Sequence, residues 1–217
     1  MTDKLRAKMI NAGRVLVDEG QGDYVWGHIS ARLPDDPGKF LMKPGCIGVE
    51  EMTEDNIITV NIEGDKVAGE WPRHNEVYIH SEVLRARPDV NCVIHTHGFY
   101  QSVLSTTGRP FEVFYDYAAL FLGDVAYWKD DLDLTPDAEG DLMAETLGDR
   151  RVMLMGHHGA LHVGDTLENA VVEALVFELC CRYQVAAMQV GGTPLDDRSA
   201  QAYRNAYLKY EIGRAHV

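Results

Sequence analysis

Cysteine is scarce in this 217-residue chain: Cys46, Cys92, Cys180 and Cys181 are its only thiols, two of them adjacent and none in a Cys-x-x-Cys pair. That argues against a disulfide framework and against a cysteine zinc site, and predicts reduced thiols, with Cys180 and Cys181 packed inside a helix. Basic residues are outnumbered, 20 Lys and Arg against 34 Asp and Glu, for a formal charge of −14 and a sequence pI near 4.9. Binding through phosphate neutralisation needs a basic face, so nucleic acid is excluded as a partner, whereas a small local basic pocket is not. No run of about 18 apolar residues occurs, and Met1-Thr2-Asp3-Lys4-Leu5-Arg6 opens no apolar stretch with a small-residue cleavage site. The expectation is a soluble, cytoplasmic protein with no membrane partner. Low-complexity segments, repeats and Gly/Ser linkers are also lacking, so a single domain is expected over residues 1–210.

What is present is an apolar content of 46%, enough for a domain that buries about 70% of its unfolded surface. Leu5, Met9, Ala12, Val15 and Leu16 predict a helix from Asp3 to Glu19, ended by Gly20 and Gly22. Short alternating stretches at Tyr24–Leu33, Lys39–Met42 and Ile57–Ile62 read as strands separated by turn residues. Asn75–Arg87 predicts a second helix closed by Pro88, followed by an apolar strand from Val90 to His95. Phe99–Ser105 fits a helix, Phe111–Tyr117 an extended segment, Asp137–Leu147 a helix, and Val152–Met155 with Ala160–Val163 two short strands. Asp165 is placed as the N-cap of a last helix that runs to about Met188, with Glu168 at the reciprocal capping-box position. Helices before, between and after short strands indicate an α/β layered domain with a mainly antiparallel sheet.

The chemistry gathers at the strand ends. In Val93-Ile94-His95-Thr96-His97-Gly98 the period of two turns His95 and His97 the same way, roughly 6.6 Å apart along the strand. Two imidazoles so placed converge on one ion at bond lengths of about 2.0–2.1 Å. The second strand that ends in histidine, Met155-Gly156-His157-His158-Gly159, supplies the third nitrogen from His157 or His158. Three imidazoles without thiolate suit Zn²⁺, Mn²⁺, Co²⁺ or Ni²⁺ in a catalytic rather than a structural site. Glu76, at the expected start of the helix before the His-x-His strand, is the natural general acid/base and a resting-state ligand. His74, His80 and His162 read as surface or structural histidines.

Taken together, Gly27-His28-Ile29-Ser30, Glu76 with His80, Arg87-Pro88-Asp89-Val90 leading to His95-Thr96-His97, and His158-Gly159-Ala160-Leu161-His162-Val163-Gly164-Asp165-Thr166-Leu167-Glu168-Asn169-Ala170 resemble the class II aldolase/adducin family over nearly the whole chain. The resemblance implies a three-layer α/β/α fold with an antiparallel central sheet, and a homotetramer with active sites between subunits. It implies His95, His97 and His158 as metal ligands, zinc first among the metals, Glu76 in the acid/base place, and Tyr117, with Tyr115 close by, as the tyrosine that protonates the leaving oxygen. The family's chemistry is a metal-stabilised enolate left when an aldehyde or carbon dioxide departs.

Sugar-phosphate aldolases of the family hold phosphate with Gly-Asn, Ser-Gly and Ser-Ser, where this chain has Gly27-His28, Gly45-Cys46 and His74-Asn75. The changes point away from a sugar phosphate and make His28, Gly45, Cys46, His74 and Asn75 substrate-binding candidates. With Lys43 and Arg73 near them, they suit a carboxylate. The Gly-His-x-Ser variant resembles a branch containing decarboxylases of hydroxy-aromatic or pyridine carboxylates. The expected function is therefore a metal-dependent lyase on a non-phosphorylated hydroxy or oxo carboxylate, decarboxylation ahead of retro-aldol cleavage. A fuculose-phosphate type aldolase and a non-catalytic adducin-like interaction domain are the alternatives. A barrel hydrolase is disfavoured, since that fold needs about 250 residues with its His-x-His on the first strand. Finally, residues 211–217 (Glu-Ile-Gly-Arg-Ala-His-Val) resemble a sequencing adapter read in frame, so they are expected to be a non-native tail in which His216 has no function.

Overall fold

The computed structural model describes residues 2–129 and 136–210; the expected tail at 211–217 lies outside the described residues. In chain order the elements are α1 (Thr2–Asp18), β1 (His28–Leu33), β2 (Asp36–Met42), β3 (Ile58–Asn61), β4 (Lys66–Ala68), α2 (Val77–Ala86), β5 (Cys92–Thr96), α3 (Phe99–Ser105), β6 (Val125–Trp128), α4 (Pro136–Leu147), β7 (Val152–Met155), β8 (Ala160–Gly164), α5 (Leu167–Gln189) and α6 (Asp197–Tyr207), with single 3₁₀ turns between some of them. The eight strands form one sheet in the order β4-β3-β2-β1-β5-β8-β7-β6. Neighbours run antiparallel except β6 and β7, which are parallel.

Alternation along the strands sorts the core onto two faces. Phe40, Met42, Val93, Met153, Leu161 and Val163 turn to α2 and α4. Ile29, Ala31, Leu41, Cys92 and Ile94 turn to α1 and the N-terminal half of α5. Val152, Leu154 and Ala160 meet α3, the C-terminal half of α5 and α6, where Cys180 and Cys181 are buried as helix packing residues. The expected three-layer α/β/α architecture is what the chain adopts.

The sequence reading did not anticipate β4, β6 or α6, and three further segments differ from expectation. Residues 24–27 make a turn, and the first strand begins only at His28. Phe111–Tyr117 is not a strand: the Leu195 N–H donates to the Val113 carbonyl (2.8 Å), and the segment runs into a 3₁₀ helix, Asp116–Phe121. The N-cap of α5 is Thr166, whose hydroxyl accepts from the Asn169 N–H at 3.2 Å, so Asp165 precedes the cap. Glu168 is thereby moved off the reciprocal position, and its carboxylate pairs with Lys8 instead.

His162, on β8, is wholly buried against Phe177, with Nε2 facing Gln101 Oε1 at 3.2 Å and no hydrogen-bond partner at Nδ1. Burial pushes its pKa down to about 3. An unfolded histidine takes up a proton below about 6.5 and this folded one does not, so its presence costs stability as the pH falls. Relative to His162→Gln, the wild-type protein is expected to lose stability at about 1.4 kcal/mol per pH unit between roughly pH 6 and 4, read by urea unfolding of both proteins. Parallel pH curves would show that His162 is solvated or protonated in the fold.

Candidate metal centre

Three elements deliver the histidines to one point. Register places His28 of β1 opposite His95 of β5, and Thr96 opposite Ala160 of β8. His95 therefore lies on the face of the sheet that α2 covers, with His97 just past the strand end. The turn between β7 and β8 brings His158 beside them, its ring centroid 4.9 Å from that of His95 and 4.7 Å from that of His97. A Cβ at Gly159 would stand 2.4 Å from the Thr96 carbonyl oxygen and 2.9 Å from the His97 ring, so only glycine lets this turn approach the His-x-His segment. His157 takes the left-handed conformation (φ 57°) that turns the chain and is exposed, which leaves His158 as the third member of the group.

Tautomers are set from behind. The His95 Nδ1–H donates to the Ala160 carbonyl at 3.0 Å, and the His97 Nδ1–H donates to the Asp23 carboxylate. Both Nε2 atoms then carry lone pairs, and they face each other at 3.0 Å, where neither can donate to the other. Two acceptors so placed call for a cation between them, and their spacing is near the roughly 3.3 Å of two ligands with bonds of 2.0–2.1 Å in a tetrahedral shell. Burial, with His97 and His158 alongside, holds His95 far below the usual imidazole range, and the neutral form is the one that ligates. The ligating atoms of His95, His97 and His158 lie within 4.8 Å of one another, as do those of His28, Glu76 and His95. The donor set fits a divalent metal.

Asp23 is a residue that sequence reasoning missed. Its other oxygen accepts the Gly27 N–H at 2.7 Å, and a Cβ on Gly27 would meet that oxygen at the same distance. Burial alone would raise the Asp23 carboxyl, but the hydrogen bonds it accepts from His97 and from the Gly27 N–H bring it below its ordinary range. It orients the His97 ring, and such a partner raises the basicity of a histidine that ligates a metal. Asp23→Asn is expected to weaken Zn²⁺ or Co²⁺ binding about 10- to 100-fold with the fold intact, measured by competition with a chromophoric chelator. Unchanged affinity would remove Asp23 from the centre.

Glu76 is the N-cap residue of α2, and its N–H donates to His74 Nδ1 at 3.2 Å. Its carboxylate accepts from His28 Nε2 at 2.7 Å; His28 Nδ1 meets His80 Nε2 at 2.6 Å, and His80 Nδ1 meets Ser30 Oγ at 2.6 Å. His28 is fully buried with both nitrogens engaged, so it stands behind Glu76, outside the lining of the cavity beside that residue. His80, read from sequence as bland, is its partner. Beside Glu76 a cavity of about 430 Å³ is lined by Val25, Trp26, Gly45, Cys46, Arg73, His74 and Asn75. Burial, then Lys43, pushes His74 down to about 4, so it lines the cavity as a neutral ring. Lys43 is fully buried, and its ammonium donates to the Val25 and Ile47 carbonyls at 2.8 and 2.6 Å, which removes it from substrate recognition. Tyr117 is 40% exposed, with its ring against Tyr115 and Tyr207.

Comparison with known proteins agrees with this geometry. Residues 7–185 match the family described as Class II Aldolase and Adducin N-terminal domain. A fission yeast (Schizosaccharomyces pombe) relative, Meiotically up-regulated gene 14 protein, is 27% identical over 84% of this chain and 74% of its own length. Human beta-adducin is 26% identical over 87% of this chain, which spans only 26% of the adducin. The structure of an L-fuculose 1-phosphate aldolase from Glaciozyma antarctica superposes with a TM-score of 0.83 at 28% identity, covering 93% of this chain and 80% of that one.

Proposed function

The chain belongs to the class II aldolase and adducin family, and on that premise we propose that it is a divalent-metal-dependent carbon–carbon lyase acting on a non-phosphorylated hydroxy or oxo carboxylate, decarboxylation ahead of retro-aldol cleavage. The observation that carries the reading is the pair of facing Nε2 lone pairs of His95 and His97, 3.0 Å apart, with Glu76 and the cavity beside it close by. A divalent cation, zinc before manganese, cobalt or nickel, would be held by His95, His97 and His158, with Glu76 in reach, and would supply Lewis acidity at the oxygen beside the bond to be broken.

The protein's own groups do the rest. Glu76, fixed by His28, takes or returns the proton at the reacting carbon or its oxygen. Arg73, whose guanidinium also donates to the Gly64 carbonyl, is the cationic residue of the cavity lining and offers the substrate carboxylate a partner, while His74 and Asn75 contribute neutral polar contacts and Gly45 and Cys46 shape the wall. The resemblance to phosphate-binding aldolases stops at these positions, which supports a carboxylate over a phosphate. Tyr117 enters catalysis only from a neighbouring subunit, which fits a homotetramer with shared sites. The site keeps three imidazoles and a glutamate, which favours this enzyme over an adducin-like module that only binds partners.

The test is to load the protein with Zn²⁺, Mn²⁺ or Co²⁺ and offer hydroxy-aromatic carboxylates, 2-oxo carboxylates and L-fuculose 1-phosphate. Carbon dioxide or aldehyde released from a carboxylate supports the proposal. Cleavage of the phosphate alone would make it a sugar-phosphate aldolase, and a metal-free protein inert to all three would leave the interaction module.

A further inference from the structure

Behind Glu76 three side chains from two elements stand in single file. Ser30 and His28 project from alternate positions of β1 to the same side of the sheet, and His80 reaches down from α2, one turn beyond Glu76. Ser30, His28 and His80 are 0% exposed, and each of the three links between Ser30, His80, His28 and Glu76 spans 2.6–2.7 Å.

The direction of every hydrogen bond in this file follows from the first. An ionised carboxylate only accepts, so the proton must sit on His28 Nε2. His28 Nδ1 then bears a lone pair, and His80 Nε2 at 2.6 Å must donate to it. His80 Nδ1 is left as an acceptor, and the Ser30 hydroxyl, the one group in the file free to rotate its proton, donates. A neutral imidazole exchanges its donor and acceptor sides freely in water, whereas here the carboxylate at one end fixes the direction and His80, backed by Ser30, completes it. We propose that His80, with Ser30 behind it, holds His28 in the tautomer that Glu76 requires, so that His28 presents a fixed N–H to Glu76 and acts, with His80, as a positioning residue for the carboxylate that handles the proton.

The inference rests on the lyase reading for its catalytic consequence but not for its structural test. In metal-free protein labelled with ¹⁵N at histidine, two-bond nitrogen–proton couplings are expected to show His28 and His80 both protonated at Nε2. A proton on Nδ1 of His28 would overturn the proposal whatever the enzyme does. In turnover, His80→Leu leaves His28 Nδ1 without its donor, and kcat is expected to fall about 10- to 100-fold with KM changed little. His80→Gln puts an amide N–H in the same place and is expected to restore most of kcat, a rescue that a space-filling role would not produce. Equal losses in the Leu and Gln variants, both folded, would refute the positioning role, and if no substrate is found the tautomer measurement still decides.

Discussion

Purified wild-type protein is expected to carry about one divalent ion per chain, and the His95→Ala, His97→Ala double variant none. Two of three imidazoles go, so the loss exceeds the roughly 10- to 100-fold that removing an outer partner such as Asp23 costs. Elemental analysis after dialysis reads the result directly, with far-UV circular dichroism to verify that the eight-stranded sheet persists. The variant also leaves the Ala160 carbonyl without its His95 donor, and some loss of thermal stability accompanies the loss of metal. A wild-type chain that takes up neither Zn²⁺, Mn²⁺ nor Co²⁺ would remove the lyase reading altogether.

Glu76→Gln separates chemistry from binding. The amide keeps the shape and can still accept the His28 N–H through its oxygen, but it cannot take up a proton. A general acid/base contributes about 10²- to 10⁴-fold, and a loss of that size in kcat is expected, with metal content retained and KM moved only a few-fold. Turnover within a few-fold of wild type would assign the proton step to another group, Tyr117 of a neighbouring subunit being the first to examine.

The parts of this site legible in the sequence were those that obey a local period. His95 and His97 share a face because a strand repeats every second residue, and the helix after Arg73 had to begin near Glu76 because the apolar positions of α2 are spaced that way. Spacing alone did not separate His157 from His158; the resemblance pointed to His158, and the exposed, left-handed turn at His157 agrees with it. Asp23 and His97 are 74 positions apart, and nothing local marks a turn aspartate as the partner of a metal ligand. Likewise His80 gains its meaning only from the register that sets β1 beneath α2. Phe111–Tyr117 misled because apolar residues outside the sheet can bury themselves against α5 and satisfy their backbone through a residue such as Leu195. The Lys43 ammonium misled for the opposite reason: a charge that sequence places at a pocket is spent on two carbonyls beneath it.

The strand that bears His95 lies between β1, which precedes it, and β8, which follows it by more than sixty residues. During synthesis the chain through α3 therefore holds Asp23, His28, Glu76, His95 and His97, yet its central strand has one open edge and the third imidazole is still unmade. Such long-range pairing is slow to form. No nascent fragment ending before His158 holds all three imidazoles, so on the proposed reading metal uptake waits for the last third of the polypeptide to emerge from the ribosome.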